Sequence, residues 1–297
     1  MRELEYHLCD VFTSTPLAGN QLAVFLNAGG LRPNHMQAIA REMNLSETTF
    51  VHRRDKNVES ARGVRVRIFT TREELPFAGH PTLGTATAIR QLLPEYANAE
   101  TITLDLNAGQ IPVRFPSEPG TPVHATFAEM RQLDPTFGAT HDAATVAPLL
   151  GLRTEDLAET APQTVSTGTA FCIVVLRSME AMARLRVDAV ASVPYLRDSG
   201  ARFFYALAPE ADGLWRARMQ FYGGEDPATG SAAGCAIAYL VRHGLWSSGK
   251  RLHLRQGIEI SRPSDLYLSG DLFGETVNEI RVAGSTVPVA MGRFFLA

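Results

Sequence analysis

Three titratable residues stand in contexts that could support proton transfer: Glu47 in NLSETTFV, His80 in FAGHPTLGTA and Asp226 in EDPATGSAAG. Glu47 falls where an amphipathic helical pattern gives way to a strand. A carboxylate desolvated there holds its proton more tightly, as a general base should, although an exposed loop glutamate would read the same way. His80 could donate or accept a proton, because imidazole titrates near neutrality, or it could simply pack or cap. Asp226 could touch a substrate. It could equally cap the helix that follows, with Pro227 at the first helical position.

The loop around Asp226 narrows the ligand class. A helix N-terminus offers unpaired N–H groups and the positive end of a dipole, which suits a carboxylate or phosphate. Gly230 would let a ligand approach the backbone, and Ser231 adds a hydroxyl. No Lys follows the glycine, so a nucleotide P-loop is disfavoured and a small carboxylate fits better. Ser231 has no GxSxG elbow, which argues against a serine hydrolase. Cys235 lies four residues into the helix after Ser231 and reads as core rather than nucleophile.

The elements that must carry these residues are mostly strands. VRVRIFT alternates as a half-buried strand does, and LNAGQIPVRF reads as a hairpin about its Ala-Gly. NHMQAIAREMN places Met36, Ile39, Ala40 and Met43 at helical spacing, with Asn34 as N-cap and Asn44 as a left-handed C-cap. HPTLGTATAIRQLL and DPATGSAAGCAIAYLVRHG are small or apolar nearly all round, which predicts helices buried on most faces. Gly244 would end the second.

These two helices share the pattern x-Pro-x-x-Gly-[Ser/Thr]-Ala, with His80 aligned to Asp226 at a separation of 146 positions (226 − 80). A weaker echo pairs Gly19 with Gly168, 149 positions apart (168 − 19). Both separations are near half the chain, which suggests a duplicated unit. The Pro/Gly-rich FPSEPGTPVH, 115–124, suits a linker. The expected fold is α+β, in two pseudo-symmetric lobes, each a curved sheet around its small-residue helix. The lobes are placed at 1–120, completed by 285–297, and at 121–284. A cleft seeing both helix starts is the expected site.

Composition excludes other classes. The 297 residues carry a net charge of −3 with no basic run, so nucleic acid is not an expected partner. No stretch approaches the ~18 uncharged apolar residues of a membrane span. The opening MRELEYHLCDVF has acids where a secretory signal has an apolar core, so a cytoplasmic protein is expected. Cys9, Cys172 and Cys235 are odd in number and far apart, as suits reduced, buried thiols. No metal-binding pattern stands out.

NLSETTFV, RIFTTREELPFAGHPTLGTA and EDPATGSAAG together closely resemble the PhzF-like phenazine-biosynthesis family. LAGNQLAVF, MQAIAREMNLSE, LVRHG and LRQGIEISRPS extend the resemblance in order over nearly the whole chain. It implies a diaminopimelate epimerase-like fold and isomerisation of trans-2,3-dihydro-3-hydroxyanthranilate or a similar small carboxylated ring. It also implies a homodimer working with no cofactor and no metal. Carried onto this sequence, Glu47 is the proton-shuttling carboxylate, with His80 and Asp226 as accompanying acid–base and substrate-contacting groups. Gly79, Gly230 and Ser231 would bind the substrate carboxylate or ring substituents. QFYGG is shorter than the loop of phenazine-pathway members, and ALAPEADGLWRARM also departs from them. Two other readings stay open: an epimerase- or racemase-like enzyme on another amino or hydroxy acid, and a non-catalytic small-molecule-binding relative.

Overall fold

A computed structural model describes residues 1–221 and 224–296. The chain divides into two compact units, the first made of Met1–Arg131 and Ala283–Ala297, the second of Gln132–Val282. Among the described residues no helix is long and apolar enough to cross a membrane.

The first unit opens with β1 (Arg2–Val11), β2 (Asn20–Phe25), α1 (Pro33–Met43) and β3 (Glu47–His52). There follow α2 (Lys56–Arg62), β4 (Val64–Phe69), β5 (Glu74–Leu75) and α3 (Gly79–Leu92). The strands β6 (Thr101–Leu106), β7 (Gly109–Arg114) and β8 (Thr126–Arg131) end it. The sheet order is β1-β2-β3-β4-β6-β7-β8, and β5 pairs with β4. Residues 115–124 thus connect two neighbouring antiparallel strands.

The second unit begins with β9 (Thr136–Thr140), α4 (Ala143–Leu149), β10 (Gln163–Ser166) and β11 (Ala170–Val175). It continues through α5 (Met179–Arg184), α6 (Ala189–Asp198), β12 (Phe203–Pro209), β13 (Trp215–Arg218), β14 (Gln220–Phe221) and β15 (Gly224–Glu225). After α7 (Gly230–Arg242) come β16 (Leu252–Gln256), β17 (Ser264–Phe273) and β18 (Thr276–Leu296). Here the order is β18-β17-β16-β13-β12-β11-β10-β9. The later part of β18 lies in the first unit, where it runs antiparallel to β1 from Val11↔Thr286 to Arg2↔Leu296.

The two units repeat one topology. In the first, successive pairs from β1 to β7 run antiparallel, parallel, antiparallel, parallel, antiparallel. In the second, the pairs from β10 to β17 run in the same sequence. Each sheet packs on one small-residue helix. Every residue of α3 from Gly79 to Ile89 is buried, as is every residue of α7 from Gly230 to Val241. A Cβ at Gly84 would stand 2.6 Å from Leu22 Cδ2 and 2.7 Å from Val11 Cγ2, so that helix seats directly on β1 and β2. On the other face of the first sheet, Met36 and Ile39 of α1 pack with Phe25, Phe50 and Phe69.

Some local expectations need correction. Arg32, not Asn34, is the N-cap of α1, because Pro33 opens the helix with its φ already set and no N–H to satisfy. Asn44 does end it in the left-handed conformation, at φ 51°. The larger correction concerns the helix starts. Pro81 is the third residue of α3, whereas Pro227 precedes α7, whose N-cap is Thr229. Both sites tolerate proline, since the first-turn N–H groups have no intrahelical partner. His80 is therefore the counterpart of Ser231, the second residue of α7, and not of Asp226.

Candidate functional site

Glu47 is the first residue of β3, and the alternation of the strand puts it on the same face as Thr49. That face meets α3, since Thr85 Oγ1 donates to Thr49 Oγ1 at 2.8 Å. Glu47 is thereby directed toward the start of α3, and its Oε2 lies 3.5 Å from His80 Nε2. The two side chains are 16% and 4% exposed. The carboxylate keeps an opening to solvent, and the ring does not.

The other nitrogen of the ring is tied down. Asn20, buried at the head of β2, donates its Nδ2 amide to His80 Nδ1 at 3.2 Å. The Asn20 amide thereby holds the ring, with Nε2 turned toward Glu47. Burial pushes the His80 pKa down to about 3, against a backbone hydrogen bond at Gln21 that works the other way. The positive end of α3 also disfavours an imidazolium there. The contact is thus a neutral imidazole beside a carboxylate rather than an ion pair. Gly79, the first residue of α3, is buried beside it, and the N-cap Ala78 offers no side-chain cap.

The second unit gathers Asp226, Gly230 and Ser231 around the start of α7. Asp226 is not the N-cap, which is Thr229; its Oδ2 accepts from Thr229 Oγ1 at 2.6 Å. Gln256, wholly buried at the end of β16, organises the turn. Its Nε2 donates to the Asp226 carbonyl at 2.8 Å and to Thr229 Oγ1 at 2.9 Å. Its Oε1 accepts from Thr229 N at 3.0 Å and from Tyr205 Oη at 2.8 Å. Gly257 lets the backbone close on the loop, because a Cβ there would lie 2.5 Å from the Pro227 carbonyl oxygen. Buried polar groups matched in this way rigidify a loop.

The other acid at the loop has a different partner. Glu225 receives Arg218 Nε and Nη2 at 2.8 and 2.7 Å, a bidentate pair with both side chains almost fully buried. Ser231 is buried, and the N-cap Thr229 makes no side-chain cap to α7. Tyr222 and Gly223 of the QFYGG stretch lie outside the described residues.

The three cysteines are buried and free. Burial raises the Cys9 thiol to about 12, Cys235 to about 11 and Cys172 higher still. None offers a thiolate near neutral pH. Asn20, Arg218, Gln256 and Thr229 were not singled out from the sequence, although Asn20, Gln256 and Thr229 lie in the family-like stretches LAGNQLAVF, LRQGIEISRPS and EDPATGSAAG; each is an ordinary polar residue whose partner is brought by the fold. For Asn20 the hint was its place after Gly19, whose φ of 68° bends the chain into β2.

Comparison with known proteins places these features in a family context. The family described as phenazine biosynthesis-like protein matches residues 9–292. The trans-2,3-dihydro-3-hydroxyanthranilate isomerase of Pseudomonas aeruginosa is 36% identical over 297 residues, spanning 98% of this chain and 99% of that protein. The solved structure of a predicted epimerase from Pseudomonas aeruginosa aligns at a TM-score of 0.83 and 35% identity, over 99% of this chain and 100% of that one. At the level of fold alone, a hydroxyproline epimerase of Agrobacterium vitis aligns at a TM-score of 0.66 and 11% identity, over 98% and 92% of the two chains. The α+β architecture is the diaminopimelate epimerase-like one.

Proposed function

The chain belongs to the phenazine biosynthesis-like family, and we propose that it is a cofactor-independent isomerase acting on trans-2,3-dihydro-3-hydroxyanthranilate or a close analogue. The observation that carries the reading is the pairing of Glu47 with a neutral, anchored His80 at 3.5 Å. A proton leaves one ring carbon for the Glu47 carboxylate, the double bonds shift, and the same carboxyl group returns the proton to a second carbon. Proton and charge balance with no other reactant. His80, beside Glu47, is the accompanying acid–base group that the family resemblance implies.

The amides and hydroxyl at Gly230 and Ser231, with Gly79, hold the substrate carboxylate and ring substituents, and Asp226 contacts the ring. Substrate filling the opening beside the half-buried Glu47 carboxylate would exclude water and limit loss of the proton to solvent. Spectrophotometry of the purified protein with trans-2,3-dihydro-3-hydroxyanthranilate tests the reading. Turnover that disappears in Glu47→Gln supports it; no turnover removes the substrate, and full activity in the variant removes Glu47.

A second reading, epimerisation of an amino or hydroxy acid, is favoured by the 35%-identical structure described as a predicted epimerase. It needs proton exchange at a stereocentre with no thiolate pair. Solvent deuterium entering chiral acids, with no change in the ring substrate, would establish it. From the family resemblance we also propose a cytoplasmic homodimer, where the thiols stay reduced. Light scattering giving the 32.4 kDa of one chain would overturn the dimer.

A further inference from the structure

Gln132 is a buried amide where stability alone would place an apolar residue. It is 3% exposed, at the start of the second unit. Its side chain lies against α7 at Gly234, so closely that a Cβ on the glycine would stand 2.6 Å from the Gln132 Cδ. In the first unit the close approach is at Gly84 and is made by Leu22 and Val11, so no polar side chain enters there.

Both ends of that amide are used. Nε2 donates to the Gly230 carbonyl at 2.8 Å, and Oε1 accepts from Thr167 Oγ1 at 2.6 Å. Thr167 in turn lies against Cys235 Sγ at 3.5 Å and the Ser231 carbonyl at 3.4 Å. The peptide between Gly230 and Ser231 is planar and trans, so its N–H points opposite to its C=O. A donor holding the carbonyl therefore fixes the direction of the Ser231 N–H.

We propose that Gln132 is a positioning residue. It sets the height and rotation of the first turn of α7, and so the aim of the amide that receives the substrate carboxylate. The proposal rests on the reading of that turn as the carboxylate holder. Thr167 acts through Gln132, and Gly234 is the space that lets the amide in.

Turnover of trans-2,3-dihydro-3-hydroxyanthranilate is compared in wild type, Gln132→Met, Thr167→Val and Ser231→Pro, alongside hydrogen exchange of peptides covering 230–235 and 236–242. In Gln132→Met, KM should rise about tenfold with kcat within about twofold, the pattern of lost uniform binding. Thr167→Val should move KM the same way by less. Exchange should rise in 230–235 and stay unchanged in 236–242, which separates loss of aim from loss of fold. An unchanged KM and unchanged exchange in Gln132→Met, with KM raised in Ser231→Pro, would overturn the proposal. If Ser231→Pro, which removes the amide from a first turn that tolerates proline, also leaves KM unchanged, the carboxylate-holder reading fails instead, and the role of Gln132 in recognition falls with it.

Discussion

His80 Nε2 faces Glu47 Oε2 at 3.5 Å while Asn20 occupies the opposite ring nitrogen at 3.2 Å. A ring buried in this way is neutral near neutral pH. In the proposed reaction the Glu47 carboxylate moves the proton with a neutral imidazole beside it.

Glu47→Gln should lower kcat by about 10²–10⁴, the usual worth of a positioned general base. Asn20→Ala should have a smaller effect, about tenfold, because the ring stays but its tautomer and orientation are released. Rates equal to wild type in Asn20→Ala would show that the amide does not orient the ring.

The pH dependence follows from the buried ring. Folded His80 binds a proton only near pH 3, while an unfolded histidine does so near 6.5. Between those values the unfolded chain holds more protons, so stability is intact above 6.5 and falls as pH drops through the window. The slope attributable to one such group is on the order of 1.4 kcal/mol per pH unit. Chemical denaturation from pH 7 to 4 should show that loss, and His80→Gln should flatten it. Buried His141 shifts in the same direction and adds to the slope that remains. No inflection near 6.5 from His80 is expected in kcat/KM.

Breaking the buried Arg218–Glu225 pair on one side should destabilise the protein by about 3–5 kcal/mol, because an unpaired charge stays behind. Arg218→Met/Glu225→Leu should recover most of that loss in urea denaturation. A double variant no more stable than the single ones would mean that the charges themselves hold the loop.

Gly84→Ala should cost about 1–3 kcal/mol, because the new methyl meets Leu22 and Val11 side chains that have little room to move. Shortening Leu22 in Gly84→Ala/Leu22→Val should restore part of it. Thermal denaturation of the three proteins measures both terms.

The fold was legible where local pattern and burial agree. HPTLGTATAIRQLL and GSAAGCAIAYLVR lack a polar face, and both lie buried within their sheets. The match between their Pro-x-x-Gly patterns pointed to a repeat, but in the wrong register. A proline suits either the first turn of a helix or the loop ahead of it, so the pattern alone does not locate the first helical residue. The Glu47–His80 contact joins residues 33 positions apart through a strand and a helix start, and only family resemblance suggested it. Arg218, in the strand WRAR, resembles any solvent-facing arginine until Glu225 is folded against it.

The division of β18 between the units bears on how the protein is made. β1 is made early in the first unit, but the strand on its outer edge comes from residues 286–296, which are made after Gln132–Val282. Throughout synthesis β1 presents an open row of backbone donors and acceptors, the kind of edge that recruits a foreign strand. Gln132–Val282 has been made in full before the first unit receives its final strand. A chain truncated before residue 283 therefore leaves β1 uncovered, and its expected fate is aggregation through that edge.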